Sequence, residues 1–341
     1  MNSFFKLPET IITASSPDRQ KDFGGQASQQ RWNEFSAQTI EIFAKLLPTF
    51  PDNKPEVRDD IRCPPGVFKT SAGCAFAFLA NQRRIIAKEL KHKPFTHQFG
   101  WFNKPGFRSS DDFNLKRDIP GQSEAIHNQV MALAKDLGEK SYCDYGCYDI
   151  KKKSGEDSSV IYIIRVKDAN AVPALLPVNA SDYDESIDVE LTVTFTDYGK
   201  DNPETSILVE HPVTPFDVWY QGKSEYMADK FKDIEPVFQA CIKWTPENGI
   251  DSFLKNIGRL AHFFAQNQLV GKGNSAIVEW MMRGLAKHVG IELGAFNYDE
   301  KIGWDFKAFL TPNRDDYAEW FAKKAFVQPE YHPTSTNKPG Y

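Results

Sequence analysis

Apolar residues recur at helical spacing towards both ends of the chain, whereas the middle contains short β-branched runs with alternating apolar and polar positions. The β-branched runs predict strands at Val160–Val166, Asp188–Thr196 and Ser206–Glu210. The order of these patterns predicts an α+β fold, with a small antiparallel sheet in the middle of the chain and a C-terminal helical bundle. The predicted helices cover Trp32–Leu47, Cys74–Leu90, Ser123–Leu137, Tyr226–Cys241, Gly249–Gln266, Ser275–His288 and Arg314–Phe326.

The same patterns divide the chain into four segments. Residues 1–30 are polar and rich in Gln, Ser and Gly, and we expect a flexible arm. Residues 31–245 form the α+β portion, which we interpret as a target-recognition region. Residues 246–328 form a helical portion with a glycine loop, and residues 329–341 are polar and contain proline, so we expect a disordered tail. The lysine run at 151–153 is interpreted as a solvated turn.

Composition narrows the classes of function. The 41 basic and 46 acidic residues give a net charge of −5, which argues against a general nucleic-acid binder. No apolar run reaches the roughly 18–20 residues of a membrane span, and no secretory signal is visible. Five cysteines indicate reduced thiols, and the spacing of Cys143 and Cys147 is not that of a zinc site, so no metal site is expected. We expect a cytoplasmic protein, or one exported without a recognisable signal peptide into the cytosol of a target cell.

The segment between the last two long helices is a candidate phosphate site. We call Gly271–Asn274 the glycine loop, and the next helix is predicted to begin at Ser275. The glycines let backbone N–H groups turn inward, and a helix N-terminus adds further donors and a partial positive charge. Arg259 and His262 lie about one turn apart on a stripe that runs towards the loop. We expect a phosphate to be held by these two side chains, by Lys272 and by the backbone of Gly273 and Asn274, and His262 is also a candidate catalytic residue. The alternative is an ordinary inter-helix turn in which Asn or Ser caps the following helix.

This segment resembles the core of the Fic/Doc (Fido) superfamily, whose loop reads His-Pro-Phe-x-x-Gly-Asn-Gly-Arg. The loop falls on residues 268–276 of this chain. Gly273 and Asn274 are retained, whereas Gln268 stands at the position of the family's catalytic histidine and Ala276 at that of its phosphate-binding arginine. The resemblance implies transfer of AMP, or of another phosphate-containing group, to a protein hydroxyl by a mechanism changed from that of the family.

The same stretch is also similar to bacterial effectors and toxins that transfer AMP to proteins and carry a Ser followed by His-x-x-x-Glu. Ser275 precedes such a pattern at His288 and Glu292. The resemblance implies Ser275 at the phosphates, His288 as general base and Glu292 as the residue that orients it. A helix-end histidine beside a solvent-facing glutamate is the alternative. Both resemblances cover about residues 255–295 and imply ATP or a related nucleotide as donor, with or without magnesium, and a host or competitor protein as substrate.

A second candidate site lies at Cys74, which follows a glycine at the start of a predicted helix. That position lowers the pKa of a thiol and exposes its sulfur. The segment is similar to the nucleophile segment of papain-like and transglutaminase-like enzymes, and the order of Cys74, His211 and then Asp217 or Asp229 matches theirs. This resemblance implies a cysteine-dependent hydrolase, deamidase or transglutaminase. A buried structural cysteine is the alternative, and an effector that binds a host protein without catalysis is a third class.

Overall fold

In this computed structural model, helices precede and follow the strands of the sheet in chain order. The structure describes residues 25–52, 66–90, 99–102, 110–114, 124–126, 128–129, 132, 148–154, 160–167, 189–197, 205–210, 224–267, 269–297, 299–311 and 313–332. Within these residues, no helix combines the length and the apolar character needed to cross a membrane. The helices are α1 (Gly25–Leu46), α2 (Ser71–Glu89), α3 (Ser224–Ile242), α4 (Ile250–Asn267), α5 (Asn274–His288), α6 (Trp304–Phe309) and α7 (Arg314–Lys324).

A five-stranded sheet occupies the middle of the chain, and every neighbouring pair of its strands is antiparallel. The strands are β1 (Ser110–Asn114), β2 (Tyr148–Ser154), β3 (Val160–Lys167), β4 (Val189–Asp197) and β5 (Thr205–Glu210). Their spatial order is β1-β5-β4-β3-β2, with Ile163 opposite Thr194 across the central pair. The described residues therefore form an α+β arrangement, as predicted. The interpretation of the lysine run as a turn is wrong, because Lys151–Lys153 pairs with β3 inside β2.

Two segments that were predicted to lack structure belong in part to regular elements. Residues 25–30 form the first turns of α1, where Gln29 and Gln30 donate side-chain hydrogen bonds to the residues four positions on. At the other end, β7 (Glu330–Tyr331) pairs with β6 (Ile291–Glu292), and the Tyr331 ring lies 5.6 Å from that of Trp244. The rest of the predicted arm and tail, residues 1–24 and 333–341, lies outside the described residues.

One hydrophobic core joins the helices before the sheet to those after it. The ring of Phe76 on α2 stacks on that of Phe264 on α4 with 5.0 Å between their centroids. Trp32 on α1 lies 5.3 Å from Trp280, which is 2% exposed on α5. Because α5 is apolar on several sides, it is covered by α1, α2 and α4 and is a central helix. Its N-terminus, where the glycine loop ends, is thereby fixed against the rest of the helices.

Candidate functional site

The glycine loop is held by a short segment, residues 99–102, that runs beside it. The N–H of Gly100 donates to the carbonyl of Lys272 at 3.1 Å, and the N–H of Gly271 donates to the carbonyl of Trp101 at 3.0 Å. Gly100 has a φ of +71°, and a Cβ there would lie 2.1 Å from the carbonyl oxygen of Ala80 on α2. Only glycine allows this approach, so the segment connects the loop to α2 through backbone contacts.

Helix α5 begins without a side-chain cap. Its N-cap residue is Gly273, in the left-handed conformation with φ +84° and ψ +18°, and no side chain accepts a hydrogen bond from the first turn there. The first backbone bond of the helix runs from the N–H of Ile277 to the carbonyl of Gly273. Asn274 uses its Nδ2 to donate to the carbonyl of Phe264 at 2.8 Å, so it ties α5 to α4 instead of capping. The backbone donors of the first turn are therefore presented to whatever lies in front of the helix.

A buried arginine from α2 lies against this helix start. A Cβ on Gly273 would be 2.7 Å from Nε of Arg83. Arg83 is 5% exposed, and its guanidinium carbon lies 4.1 Å from the ring centroid of Phe99 and 4.8 Å from that of Trp32. Burial lowers the pKa of Arg83 from its usual range to about 9, so the group is still a cation at neutral pH. The loop thus has a full positive charge that comes from a different helix.

A hydroxyl and a carboxylate meet at the first turn of α5. Ser275 donates from Oγ to Oδ2 of Asp305 at 2.9 Å, and Oδ1 of Asp305 accepts from the N–H of Phe306 at 2.9 Å. Burial raises the pKa of Asp305, while the hydrogen bond from Ser275 acts in the opposite direction. A carboxylate with a raised pKa is a better proton acceptor than an ordinary aspartate.

The hydrogen bonds of Arg259 and His262 run to α7 and to Thr311 instead of the glycine loop, and the convergence of these two residues there with Lys272 stays a prediction. Arg259 donates from Nε to Oδ1 of Asp315 on α7 at 2.7 Å. His262 is buried, and its Nε2 lies 2.9 Å from the carbonyl oxygen of Thr311, to which we assign the ring N–H as donor. Burial lowers the pKa of His262 to about 4, so the ring is neutral at neutral pH. The stripe that these two residues form on α4 is covered by α7 and the residues just before it.

In the Ser and His-x-x-x-Glu pattern, the structure places the serine far from the histidine. Ser275 and His288 lie at opposite ends of α5, nearly its full 15 residues apart, or about 20 Å along the axis. His288 places Nδ1 3.2 Å from the carbonyl oxygen of Ala44, and burial lowers the pKa of its ring. Glu292 lies in β6 beyond the end of the helix, with its carboxylate exposed and 3.6 Å from His332. These residues are not brought together as one catalytic group.

Cys74 is fully buried, so the expected exposure of its sulfur is wrong. The N-terminus of α2 is already capped, because Thr70 accepts a hydrogen bond from the N–H of Gly73 at 3.0 Å and Glu235 accepts from the N–H of Ala72 at 2.8 Å. The helix donors that were expected to favour a thiolate are therefore in use. The predicted partners His211 and Asp217 lie outside the described residues.

The site residues that sequence reasoning missed are Arg83 and Asp305. Arg83 lies in the basic second half of its helix, where positive charge is ordinary. A signal for it does exist: it follows Phe76 and Leu79 by seven and four residues, so it falls on the buried stripe of α2. Asp305 has no comparable local signal.

Comparison with family models and with curated proteins does not assign the chain to a family. No protein-family model matches the chain, and no curated protein matches it. The functional argument therefore depends on the start of α5 and the residues around it.

Proposed function

We propose that the chain binds the phosphate groups of ATP or a related nucleotide at the glycine loop and transfers a nucleotidyl or other phosphate-linked group to a side chain of another protein. The start of α5 carries this proposal, because it is uncapped, begins at a left-handed glycine and follows directly on Lys272. In this proposal the C-terminal helices act as a bundle that holds the loop. The setting, a bacterial effector or toxin acting in the cytosol of a host or competitor cell, comes from the two resemblances.

Transfer of AMP needs a proton acceptor as well as a phosphate site. A hydroxyl oxygen of the target forms a bond to the α-phosphorus while the bond from that phosphorus to diphosphate breaks, and diphosphate leaves. The hydroxyl proton passes to a base, for which we propose Asp305, since its pKa is raised and Ser275 orients it beside the start of α5. His288 is not assigned this role because it lies at the far end of the helix.

Magnesium in this proposal is held mainly by the nucleotide. The described residues contain no group of three side chains of the types that bind metal ions. Magnesium usually keeps several waters and binds through substrate phosphates with one or two protein oxygens, one of which the hydroxyl of Ser275 can supply. Nucleotide binding is therefore expected with or without added magnesium, and more tightly with it.

A transfer assay and a binding titration test the proposal together. ATP labelled at either the α- or the γ-phosphate is incubated with the protein and a host-cell lysate, and label on proteins is measured. Label from the α-position indicates nucleotidyl transfer, whereas label from the γ-position alone indicates phosphoryl transfer.

In calorimetry, Lys272→Ala is expected to weaken ATP binding about 10-fold, since a charge-assisted contact to phosphate is lost. Lys287→Ala is the matched control, because Lys287 lies near the other end of α5 and pairs with Glu41. Absence of binding to any adenine nucleotide, together with absence of label, would contradict the proposal.

A further inference from the structure

Arg83 is a buried cation for which the described residues provide no hydrogen-bond acceptor. Its Nε and Nη1 are both enclosed and have no hydrogen-bond partner in the described part of the chain. The rings of Phe99 and Trp32 stabilise the guanidinium through their faces. Such contacts leave the N–H donors in the guanidinium plane without acceptors. Enclosing those donors costs stability, so the arrangement calls for an anion that the described residues do not provide.

The position of Arg83 identifies what kind of anion fits. Because residue 273 is a glycine, Nε of Arg83 lies directly against the backbone that starts α5. The guanidinium fork therefore contacts Gly273, the residue from which the uncapped first turn of the helix begins. The carboxylate at this helix start, Asp305, accepts from Ser275 and from the N–H of Phe306 instead. A ligand with several acceptor oxygens and negative charge matches the fork and the uncapped first turn at once.

We infer that Arg83 is a binding residue for a phosphate or diphosphate group, which its guanidinium and the first turn of α5 hold jointly. The inference shares its site with the proposed function and rests on it only for the group to which the phosphate is attached. Arg83 is thereby the principal cation of the site, in the role that the sequence assigned to Arg259 and His262. The stability lost by burying this charge is recovered when the oxyanion binds.

Two variants of Arg83 test the inference, with inorganic diphosphate as the probe. Arg83→Met keeps the length and apolar contacts of the side chain and removes its charge. We expect the dissociation constant for diphosphate, measured by calorimetry, to rise at least about 30-fold. Arg83→Lys keeps the charge and loses the planar fork, so a rise of about 10-fold is expected. Arg31→Met is the matched control. It also removes one positive charge, but from an arginine that pairs with Glu89. Its dissociation constant is expected to stay within about 2-fold of wild type.

A second measurement separates a ligand-binding role from a purely structural one. Without ligand, the urea midpoint of Arg83→Met is expected to equal or exceed that of wild type, because an unpaired buried charge has been removed. A lower midpoint with unchanged diphosphate binding would assign Arg83 to structure and overturn the inference. If Arg83→Met does not fold, Arg83→Lys decides: unchanged affinity for diphosphate overturns the inference. Wild-type protein that binds no diphosphate overturns it as well.

The same experiments distinguish this inference from the proposed function. If diphosphate binds in an Arg83-dependent way but ATP is neither bound more tightly nor used for transfer, the oxyanion site stands and the proposed function fails. If ATP binds and is transferred equally by wild type and Arg83→Met, the proposed function stands and the inference about Arg83 fails.

Discussion

The guanidinium of Arg83 occupies the space that a side chain at residue 273 would need, with Nε 2.7 Å from the Cβ position of Gly273. Residues that are 190 positions apart in the chain thus form one surface at the start of α5. Two features require glycine at this position. Its backbone is left-handed, and a side chain would overlap with Arg83.

Gly273→Ala is expected to lower the free energy of unfolding by about 1–3 kcal/mol, because alanine is strained at φ +84° and its Cβ meets Arg83. Urea denaturation measures the change. In an Arg83→Ala background the loss is expected to be smaller, since the contact is removed and only the backbone strain is left. Equal stability of Gly273→Ala and wild type would contradict the described start of α5.

Arg259→Ala is expected to leave binding of ATP and diphosphate unchanged, because Arg259 pairs with Asp315 on α7. The free energy of unfolding is expected to fall by less than about 1 kcal/mol, as for other partly exposed ion pairs. A double-mutant cycle with Asp315→Asn measures the coupling. Weaker nucleotide binding by Arg259→Ala would restore the phosphate role that the sequence predicted.

The buried ring of His262 makes stability depend on pH. Its pKa is about 4 in the folded protein, below its usual 6.5, so the unfolded chain takes up the proton more readily. The stabilisation is fully present above about pH 6.5 and is lost as the pH falls towards 4, by at most about 3 kcal/mol. His262→Gln, which keeps a donor for the carbonyl of Thr311, is expected to show a smaller loss between pH 7.5 and 4.5 in urea denaturation.

His288→Gln is the control for that comparison, since His288 is only half-buried and its pKa is lowered in the same direction. The effect of His288→Gln is expected to be smaller than that of His262→Gln. Identical pH profiles of wild type and His262→Gln would show that His262 is not held as described.

Cys74 is expected to be protected from thiol reagents in the folded protein. Both Cys74 and Cys241 are buried, and burial raises the pKa of the Cys241 thiol. Labelling with iodoacetamide, followed by peptide mass spectrometry, is expected to modify both only after denaturation. Rapid modification of native Cys74 while Cys241 stays protected would revive the cysteine-enzyme hypothesis.

Helices that form around one apolar stripe were predictable nearly to the residue. Predicted Gly249–Gln266 and Ser275–His288 compare with the observed Ile250–Asn267 and Asn274–His288, because glycines mark their ends and apolar spacing marks their interiors. Helix α1 starts earlier than predicted, since the polar residues of its first turns carry no apolar periodicity. Apolar periodicity identifies helical turns that have a buried face, and it does not identify turns made of polar residues.

The composition of the candidate site was less predictable. Periodicity shows that Arg259 and His262 share a stripe of α4, but not which element covers that stripe, and α7 supplies Asp315 more than fifty residues later. Arg83 reaches the loop because α2 packs directly against α5. Such contacts are decided by tertiary packing, which local sequence spacing does not encode.

The most direct test of a phosphate site at the start of α5 is a titration with ATP followed by two-dimensional 1H–15N NMR of the deuterated full-length protein. The backbone amides of residues 274–276 are expected to shift first and furthest, since their N–H groups donate to the phosphate. Those of residues 289–292, beyond the opposite end of α5, are expected to stay unchanged. Shifts confined to other parts of the molecule, or no shift at saturating ATP, would contradict the assignment of this helix start as the phosphate site.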